Sequence, residues 1–299
     1  MKPVDFAYVR PATTDAAVRA LSDAGGDAKI IAGGQSLGPL LNMRLVRPSL
    51  IVDINAISEL QAIDETADAV RIGATVRQRA AEQSTIIARR LPLLHAALPF
   101  IGHSHTRNRG TVVGSVVHAD PSAELPLIAL CLDATLHIAG PSGMRTIEIA
   151  EFFLGYLMTD LGPSDVAVAL SFPARALPAG VRRGCAFREM SRREGDFAIV
   201  GAAAQIDLDL SHRRVRDARL GLIGIGGAPF RYHDGETTLR EAHDPQATFG
   251  AIADGAAAAI DPDSDLHATA EYRRSVASTL LHRALDAAWI DALLPDTRA

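Results

Sequence analysis

The sequence is poor in several features that mark particular classes of protein. Its 299 residues include 2 cysteines, Cys131 and Cys185, which lie far apart in apolar surroundings. An iron–sulfur cluster needs four cysteines, and a disulfide framework needs several pairs, so neither is expected on this chain. No stretch of the sequence approaches the roughly 20 apolar residues of a membrane-spanning helix. We therefore expect no membrane span.

Lysine is almost absent, and neither sign of charge dominates. Lys2 and Lys29 are the only lysines, so arginine supplies nearly all positive charge. The net charge of −5 gives no reason to expect nucleic acid or an anionic membrane as a partner. The charged first residues are not followed by the apolar core of a signal peptide. These observations predict a cytoplasmic protein, and its length predicts more than one domain.

A glycine turn lies between two apolar segments near the start of the chain. Residues 30–32 suit a buried strand, Gly33 and Gly34 follow, and an apolar segment from 37 to 45 suits a helix. Residues 50–54 then suit a second strand. The order strand, glycine turn, helix aims backbone N–H groups at one point, and both these groups and the helix dipole favour an anion such as phosphate.

A second loop of similar chemistry runs from Arg107 to Ser115 and is followed by a His-Ala-Asp-Pro run at 118–121. Like the first loop, it is built from small residues and contains glycines, Gly110 and Gly114. Two such loops in one domain can hold the two phosphates of a dinucleotide. The sequence therefore favours a dinucleotide-type cofactor over a single phosphate.

These motifs resemble the FAD-binding subunit of molybdenum hydroxylases, a family that includes the medium subunit of bacterial carbon monoxide dehydrogenase and the flavin domain of xanthine dehydrogenase. The resemblance extends over nearly the whole chain, in order. It is carried by Ala-Gly-Gly-Gln-Ser-Leu at 32–37, Val-Asp-Ile-Asn at 52–55, Arg-Asn-Arg-Gly-Thr at 107–111, His-Ala-Asp-Pro at 118–121, Ser-Arg-Arg-Glu-Gly-Asp-Phe-Ala at 191–198 and Glu-Tyr-Arg at 271–273.

The resemblance implies an α+β fold in two parts. A two-lobed α/β FAD-binding domain of the PCMH type is expected at residues 1–175, with lobes at about 1–56 and 57–175. A smaller domain with a three-stranded antiparallel sheet and helices is expected at 181–290.

The residues of the last third support this view. Partly alternating runs at 185–190, 197–208 and 215–224 predict an antiparallel sheet. Helices are predicted at 248–260 and 270–290. Helical spacing in the second of these predicts a core face made of Tyr272, Val276, Leu280, Ala284 and Ala287.

The resemblance also implies the cofactors and where they are held. FAD is expected on this chain, and iron–sulfur clusters and a molybdopterin cofactor on partners, namely an iron–sulfur small subunit and a molybdenum large subunit. No catalytic residue and no metal ligand is implied here. The residues expected to contact the pyrophosphate and ribityl chain are Ala32, Gly33, Gly34, Gln35, Ser36, Leu37, Thr111, Val112, Val113, Gly114 and Ser115.

Three further positions carry open alternatives. Glu124 matches a family carboxylate near the cofactor, where several relatives have Asp. Arg188 falls where some members place a Lys near the flavin, but it is equally well interpreted as a surface arginine. Phe197 is interpreted either as a shield for the flavin ring or as a core residue at the start of a strand.

The implied function is electron transfer from iron–sulfur clusters through FAD to a small-molecule acceptor such as a quinone, NAD or oxygen. A flavin-free scaffold subunit is an alternative, because Val113 stands where relatives usually have Gly. If Val113 is tolerated, it should have negative φ and point into the domain, and Gly114 should carry any unusual backbone angle. A serine hydrolase is a weaker alternative.

The hydrolase alternative rests on one short motif. Residues 34–38 fit the G-x-S-x-G pattern, with Ser36 as nucleophile and Asp120 and His282 following in hydrolase order. Only about thirty residues precede the motif, which is too few for the strands that normally come before it.

Overall fold

The computed structural model describes residues 2–294. Met1, the first residue of the expected FAD-binding domain, lies outside them. The first lobe is a three-stranded parallel sheet in the order β1-β3-β2, with two helices. Its elements are β1 (Ala7–Val9), α1 (Thr14–Asp23), β2 (Ala28–Ile31), α2 (Leu37–Asn42) and β3 (Leu50–Asp53). Thr13 begins α1, because its hydroxyl accepts the Ala16 N–H at 3.2 Å.

The second lobe is built on a five-stranded antiparallel sheet in the order β4-β5-β10-β6-β7. Strand β10 is the last of these strands in the sequence, but it lies at the centre of the sheet, between β5 and β6. The sheet is therefore complete only when the chain has reached residue 173. The elements are β4 (Ile63–Glu65), β5 (Ala69–Gly73), α3 (Gln78–Glu82), α4 (Thr85–Arg90), α5 (Pro92–Ala97), α6 (Ser104–Arg107), α7 (Val112–His118), α8 (Glu124–Cys131), β6 (Thr135–Gly140), β7 (Gly143–Glu148), α9 (Ile149–Phe152), the β8–β9 pair (Phe153–Gly155 and Met158–Thr159) and β10 (Val166–Pro173).

The C-terminal domain is an antiparallel sheet in the order β11-β12-β13-β14, followed by helices. The predicted three-stranded sheet is present as three strands of 10 residues each, and the two-residue β14 extends it at one edge. The elements are β11 (Val181–Met190), β12 (Val200–Asp209), β13 (Arg214–Ile223), β14 (Phe230–Arg231), α10 (His233–Glu241), α11 (Phe249–Ala259) and α12 (Ala270–Leu293).

The predicted core face of α12 is confirmed at four of its five positions, since Leu280 and Ala284 are buried in the core and Val276 and Ala287 pack against it. Tyr272, the first position, is wrong, because it is 45% exposed. The buried face instead begins at Arg273, whose guanidinium donates to the carbonyls of Ile199 at 2.6 Å and Gly224 at 2.7 Å. An apolar pattern cannot reveal a buried arginine satisfied by backbone oxygens. The face comprises Arg273, Ala277, Leu280, Leu281, Ala284, Leu285, Ala288, Trp289 and Ala292.

The C-terminal sheet packs on both of its faces. On one face Phe187 joins the core of the FAD-binding lobes, where its ring lies 5.2 Å from the ring of Phe100 in edge-to-face contact. On the other face Ala186 and Ala202 join a second core with α11 and α12. No helix within residues 2–294 is long and apolar enough to cross a membrane.

Candidate functional site

Loop 1 (residues 32–36) joins β2 to α2 and presents free backbone donors. Gly34 has φ 70°, a conformation that side chains disfavour, and a Cβ there would also lie 3.2 Å from the Ile31 side chain. Among residues 2–294, the N–H groups of Gly33 through Leu37 donate to no acceptor. This run of consecutive unpaired donors, ending at a helix start, suits an anionic ligand.

Loop 2 (residues 108–111) leads into α7. Residues 112–115, expected in a loop, form the first turn of that helix. Thr111 caps the helix, since its hydroxyl accepts the Gly114 N–H at 3.1 Å. The Val113 N–H has no acceptor within the described part of the chain. Loop 2 therefore also offers an unpaired donor.

The two loops touch, backbone against backbone, at Gly33. A Cβ on Gly33 would lie 2.5 Å from the Arg109 carbonyl oxygen and 2.7 Å from the Gly110 Cα. Real Cβ atoms do not approach backbone so closely, so only glycine fits between the loops. The contact therefore brings the two loops, with their unpaired donors, next to each other.

Val113 and Gly114 differ in what they require. Val113 lies in α7, so its φ is negative, and its side chain is 1% exposed in the core, as predicted. The expectation that Gly114 carries an unusual backbone angle is wrong, because Gly114 is helical too. A Cβ on Gly114 would lie 2.5 Å from the Thr111 hydroxyl oxygen, so glycine leaves room for the cap.

A chain of hydrogen bonds connects the loops behind their contact. The Asn55 side-chain amide donates to the Ala32 carbonyl of loop 1 at 2.8 Å. Arg77 donates through Nη2 to Asn55 Oδ1 at 2.7 Å and through Nη1 to the Arg109 carbonyl of loop 2 at 2.5 Å. Asn55 belongs to a motif quoted above, but nothing in the sequence singles out Arg77, because its partners include a backbone carbonyl 32 residues away.

Asp53 fixes the orientation of Asn55. Its carboxylate accepts the Asn55 backbone N–H at 2.8 Å, the Asn55 side-chain amide at 2.6 Å and the Tyr8 hydroxyl. Burial raises the pKa of Asp53, but the hydrogen bonds from Tyr8 and Asn55 outweigh it and hold the pKa below its usual value. Asp53 is therefore an ionised acceptor at neutral pH.

A buried acid and a half-buried acid, from different domains, lie close together. Glu124, the first residue of α8, is 6% exposed, and burial, with a smaller contribution from Asp120, raises its pKa to about 7. Glu189 on β11 has one side-chain oxygen, Oε2, that is buried without a hydrogen-bond partner in residues 2–294. Burial first, and then the charge of Glu124, raise the pKa of Glu189 to about 8. Sequence reasoning missed Glu189.

Arg188 is not brought to this side of the sheet. Strand alternation places it opposite Ala202, on the face that packs against the helices, whereas Phe187 and Glu189 face the FAD-binding lobes. Arg188 is exposed and donates to the Phe187 carbonyl at 3.0 Å. Its interpretation as a surface arginine fits the structure better than a contact with the cofactor.

The segment before β12 lies against the start of α6. Gly195 has φ 82°, and a Cβ there would lie 2.5 Å from the ring of His103. Phe197 is 69% exposed, so its interpretation as a core residue is wrong.

The hydrolase triad is not assembled. Ser36 makes no side-chain capping bond and has helical φ −99° and ψ −51°. His282 lies on α12 beside Gly250 and pairs with Asp286 at 3.6 Å, while Asp120 accepts the Ser122 N–H at 2.9 Å. The hydrolase alternative is therefore wrong.

Two glycine loops in contact, with unpaired N–H groups, have the features that a dinucleotide-type cofactor needs, in an α+β protein. A family model described as "FAD binding domain in molybdopterin dehydrogenase" matches residues 4–175, and one described as "CO dehydrogenase flavoprotein C-terminal domain" matches residues 185–288. The chain therefore belongs to the FAD-binding medium subunits of molybdenum hydroxylases. The predicted family and its cofactor, FAD, are confirmed.

Individual relatives match over almost their whole length. The chain is 40% identical to the 6-hydroxypseudooxynicotine dehydrogenase complex subunit alpha of Paenarthrobacter nicotinovorans, over 95% of each chain. It is 35% identical to the carbon monoxide dehydrogenase medium chain of Hydrogenophaga pseudoflava, over 97% of this chain and 99% of that one. A solved structure of the Hydrogenophaga enzyme contains a chain that superposes with a TM-score of 0.92 at 34% identity, covering 98% of this chain and 100% of that one.

Proposed function

We propose that this chain is the electron-transfer subunit of a molybdenum hydroxylase complex. It would take electrons from iron–sulfur clusters on a small partner, while a large partner hydroxylates the substrate at molybdenum. It would deliver the electrons to a small-molecule acceptor such as a quinone, NAD or oxygen. The names of the relatives, one a complex subunit and one a medium chain, support an assembly of this kind.

The observation that carries the proposal is the contact between loops 1 and 2 at Gly33. Because the loops touch, the unpaired N–H groups of Gly33 through Leu37 and of Val113 lie around one junction. A diphosphate is the part of FAD that needs such donors, and the Ser36 hydroxyl adds another polar group to the same loop. FAD, when bound, supplies the redox chemistry, and the protein supplies orientation and electrostatics.

Glu124 is proposed to act on a part of the cofactor away from the diphosphate. Its pKa of about 7 means that a neutral carboxyl, able to donate a hydrogen bond, is present at neutral pH. A neutral acid is compatible with nearby anionic groups, whereas a buried carboxylate is not. Arg188 is left out of the proposed set because it lies on the other face of β11.

Flavin occupancy tests the placement. The purified full chain should show the two-band flavin absorption, and acid should release FAD rather than FMN. Gly34→Val should weaken FAD binding at least tenfold, because a left-handed valine costs roughly 1–3 kcal/mol and the added side chain crowds Ile31. Gly38→Ala is the matched control, since a Cβ there meets no atom of residues 2–294 within 4 Å.

Ser36→Ala separates a supporting contact from a requirement. It should cost only about 1 kcal/mol of FAD affinity, the value of one hydrogen bond. A folded, colourless protein that takes up no added FAD would contradict the proposal and favour the flavin-free scaffold.

Purification from the natural host tests the partners. The chain should copurify with a cysteine-rich small protein and a large protein, and the assembly should contain iron and molybdenum. Electron transfer to quinone, NAD and oxygen can then be compared directly. Isolation of the chain only as a free flavoprotein would refute its role as an electron-transfer subunit.

A further inference from the structure

The chain of hydrogen bonds from Ala32 to Arg109 joins the two lobes directly behind the cofactor loops. Asn55 follows β3 in the first lobe, and Arg77 precedes α3 in the second. The ends of the chain are the carbonyl just before Gly33 and the carbonyl just before Gly110. The bonds therefore fix the distance between the loops where Gly33 already packs directly against the backbone of loop 2.

A guanidinium is well suited to this position. Its planar fork holds two donors at a fixed angle, and Arg77 uses both of its terminal nitrogens, one toward each lobe. Lysine has the same charge but a single flexible ammonium, which cannot hold two acceptors in one fixed geometry. Asn55 is equally specific, because its amide donates to Ala32 while its oxygen accepts from Arg77.

The charge of Arg77 is only partly compensated, because the nearby Asp53 carboxylate attracts it without pairing with it directly. The bonds of Arg77 go to uncharged oxygens, and within residues 2–294 no carboxylate lies at ion-pair distance from Arg77 or Arg109. Arg77 is half-buried, so its charge is screened less than that of an exposed arginine. A guanidinium without a direct ion-pair partner, beside free N–H groups, favours an anion at the loop junction.

We infer that Asn55 and Arg77 are positioning residues of the FAD site, which hold loops 1 and 2 in register so that the donors of both loops meet one diphosphate. The inference rests on the proposed placement of FAD at these loops. Neither residue need touch the cofactor, since each acts through a loop carbonyl.

Arg77→Lys and Asn55→Ser in the full chain, stripped of flavin and titrated with FAD, test the inference. Each should weaken FAD binding about tenfold to a hundredfold, because each removes bonds that fix a loop. Arg79→Lys is the matched control: this exposed neighbour pairs with Glu82 at 3.0 Å and should bind FAD within about twofold of wild type. Having both variants keeps the test informative if one fails to fold.

The double variant gives the sharper test. If Asn55 and Arg77 act in series, the double variant should bind FAD within about threefold of the weaker single variant. Independent effects would multiply, and that result would overturn the inference. FAD that is bound at saturation should also show an altered visible circular dichroism spectrum, a change that a loss of stability alone does not produce.

The outcomes separate this inference from the proposed function. If wild type binds no FAD, or if Gly34→Val binds it normally, the placement fails and the inference fails with it. If Gly34→Val abolishes binding while Arg77→Lys and Asn55→Ser bind FAD as wild type does, only the inference fails. If both variants lowered the melting temperature of the apoprotein without changing FAD affinity, that result would also overturn the inference.

Discussion

At the scale of single residues, the glycines of the site are required for different reasons. Gly34 is needed for its left-handed backbone, Gly33 for the contact between the loops, and Gly114 for the room that the Thr111 hydroxyl occupies. A sequence shows all three as the same letter. The role of Gly34 could be predicted from the order strand, glycine, helix, but the contact at Gly33 depends on Arg109 and Gly110, which the fold brings from another part of the chain.

Val113 and Gly114 give a paired prediction. Val113→Gly should lower the free energy of unfolding by about 2–4 kcal/mol, because it removes a buried side chain and adds a helical glycine. It should change FAD affinity by less than about threefold, since the side chain points into the core. Gly114→Val should instead displace the cap at Thr111 and weaken FAD binding at least about tenfold. Thermal melts and FAD titrations measure the two effects separately, and a large gain in affinity from Val113→Gly would contradict this account.

The residues of the site can be divided in the same way, into those with local partners and those with partners distant in the sequence. The roles of Gly34 and Thr111 were predictable because their chemistry is local to a loop and a helix start. Arg77 and Glu189 were not, because each matters through a partner distant in the chain: a loop carbonyl for one, Glu124 for the other. The two interpretations of Arg188 could not be separated from the sequence, because a resemblance gives a position in a strand but not the face on which a side chain lies.

At the scale of elements, α12 and β11 pack backbone against backbone. A Cβ on Gly184 would lie 1.8 Å from the Ala288 carbonyl oxygen and 2.6 Å from the Ala292 nitrogen. The long strands and helices of this domain could be predicted from the spacing of apolar residues and the length of each run. The point at which α12 crosses β11 could not. The burial of Arg273 shows the same limit, since an apolar pattern does not reveal that the buried face of α12 begins with a charged residue.

Gly184→Ala should therefore be strongly destabilising. The added methyl forces the helix away from the strand, and overpacking of this kind costs about 1–3 kcal/mol or more. Gly226→Ala is a control in the same domain, because a Cβ there has no neighbour within 4 Å in the part of the chain that the structure describes. Chemical denaturation of both variants measures the difference. Equal stability of the two would show that α12 can shift without cost.

At the scale of the whole molecule, Glu124 and Glu189 make stability depend on pH. Both pKa values are raised from the ordinary 4.5, to about 7 and about 8, so the folded chain holds protons that the unfolded chain has lost. The stability they contribute is fully present below pH 4.5 and is lost as the pH rises through 7 to 8. The free energy of unfolding should fall across this range.

Glutamine variants check the source of that slope. Glu124→Gln with Glu189→Gln should flatten the decline, because neither amide titrates, whereas the exposed Glu194→Gln should leave it unchanged. Denaturant titrations at several pH values provide the measurement. An unaltered slope in the double variant would assign the pH dependence to other groups.

Strand β12 is buried along all 10 of its residues, and it belongs to two cores at once. Ala203 packs with the FAD-binding lobes, while Ala202 and Ala204 pack with α11 and α12. The two halves of this protein are therefore not interchangeable modules: a chimera that borrowed its C-terminal half from a relative would have to match side-chain volumes on both sides of one strand. Calorimetry should show a single cooperative unfolding transition. Among relatives, changes of side-chain volume on one face of β12 should be accompanied by changes on the other face.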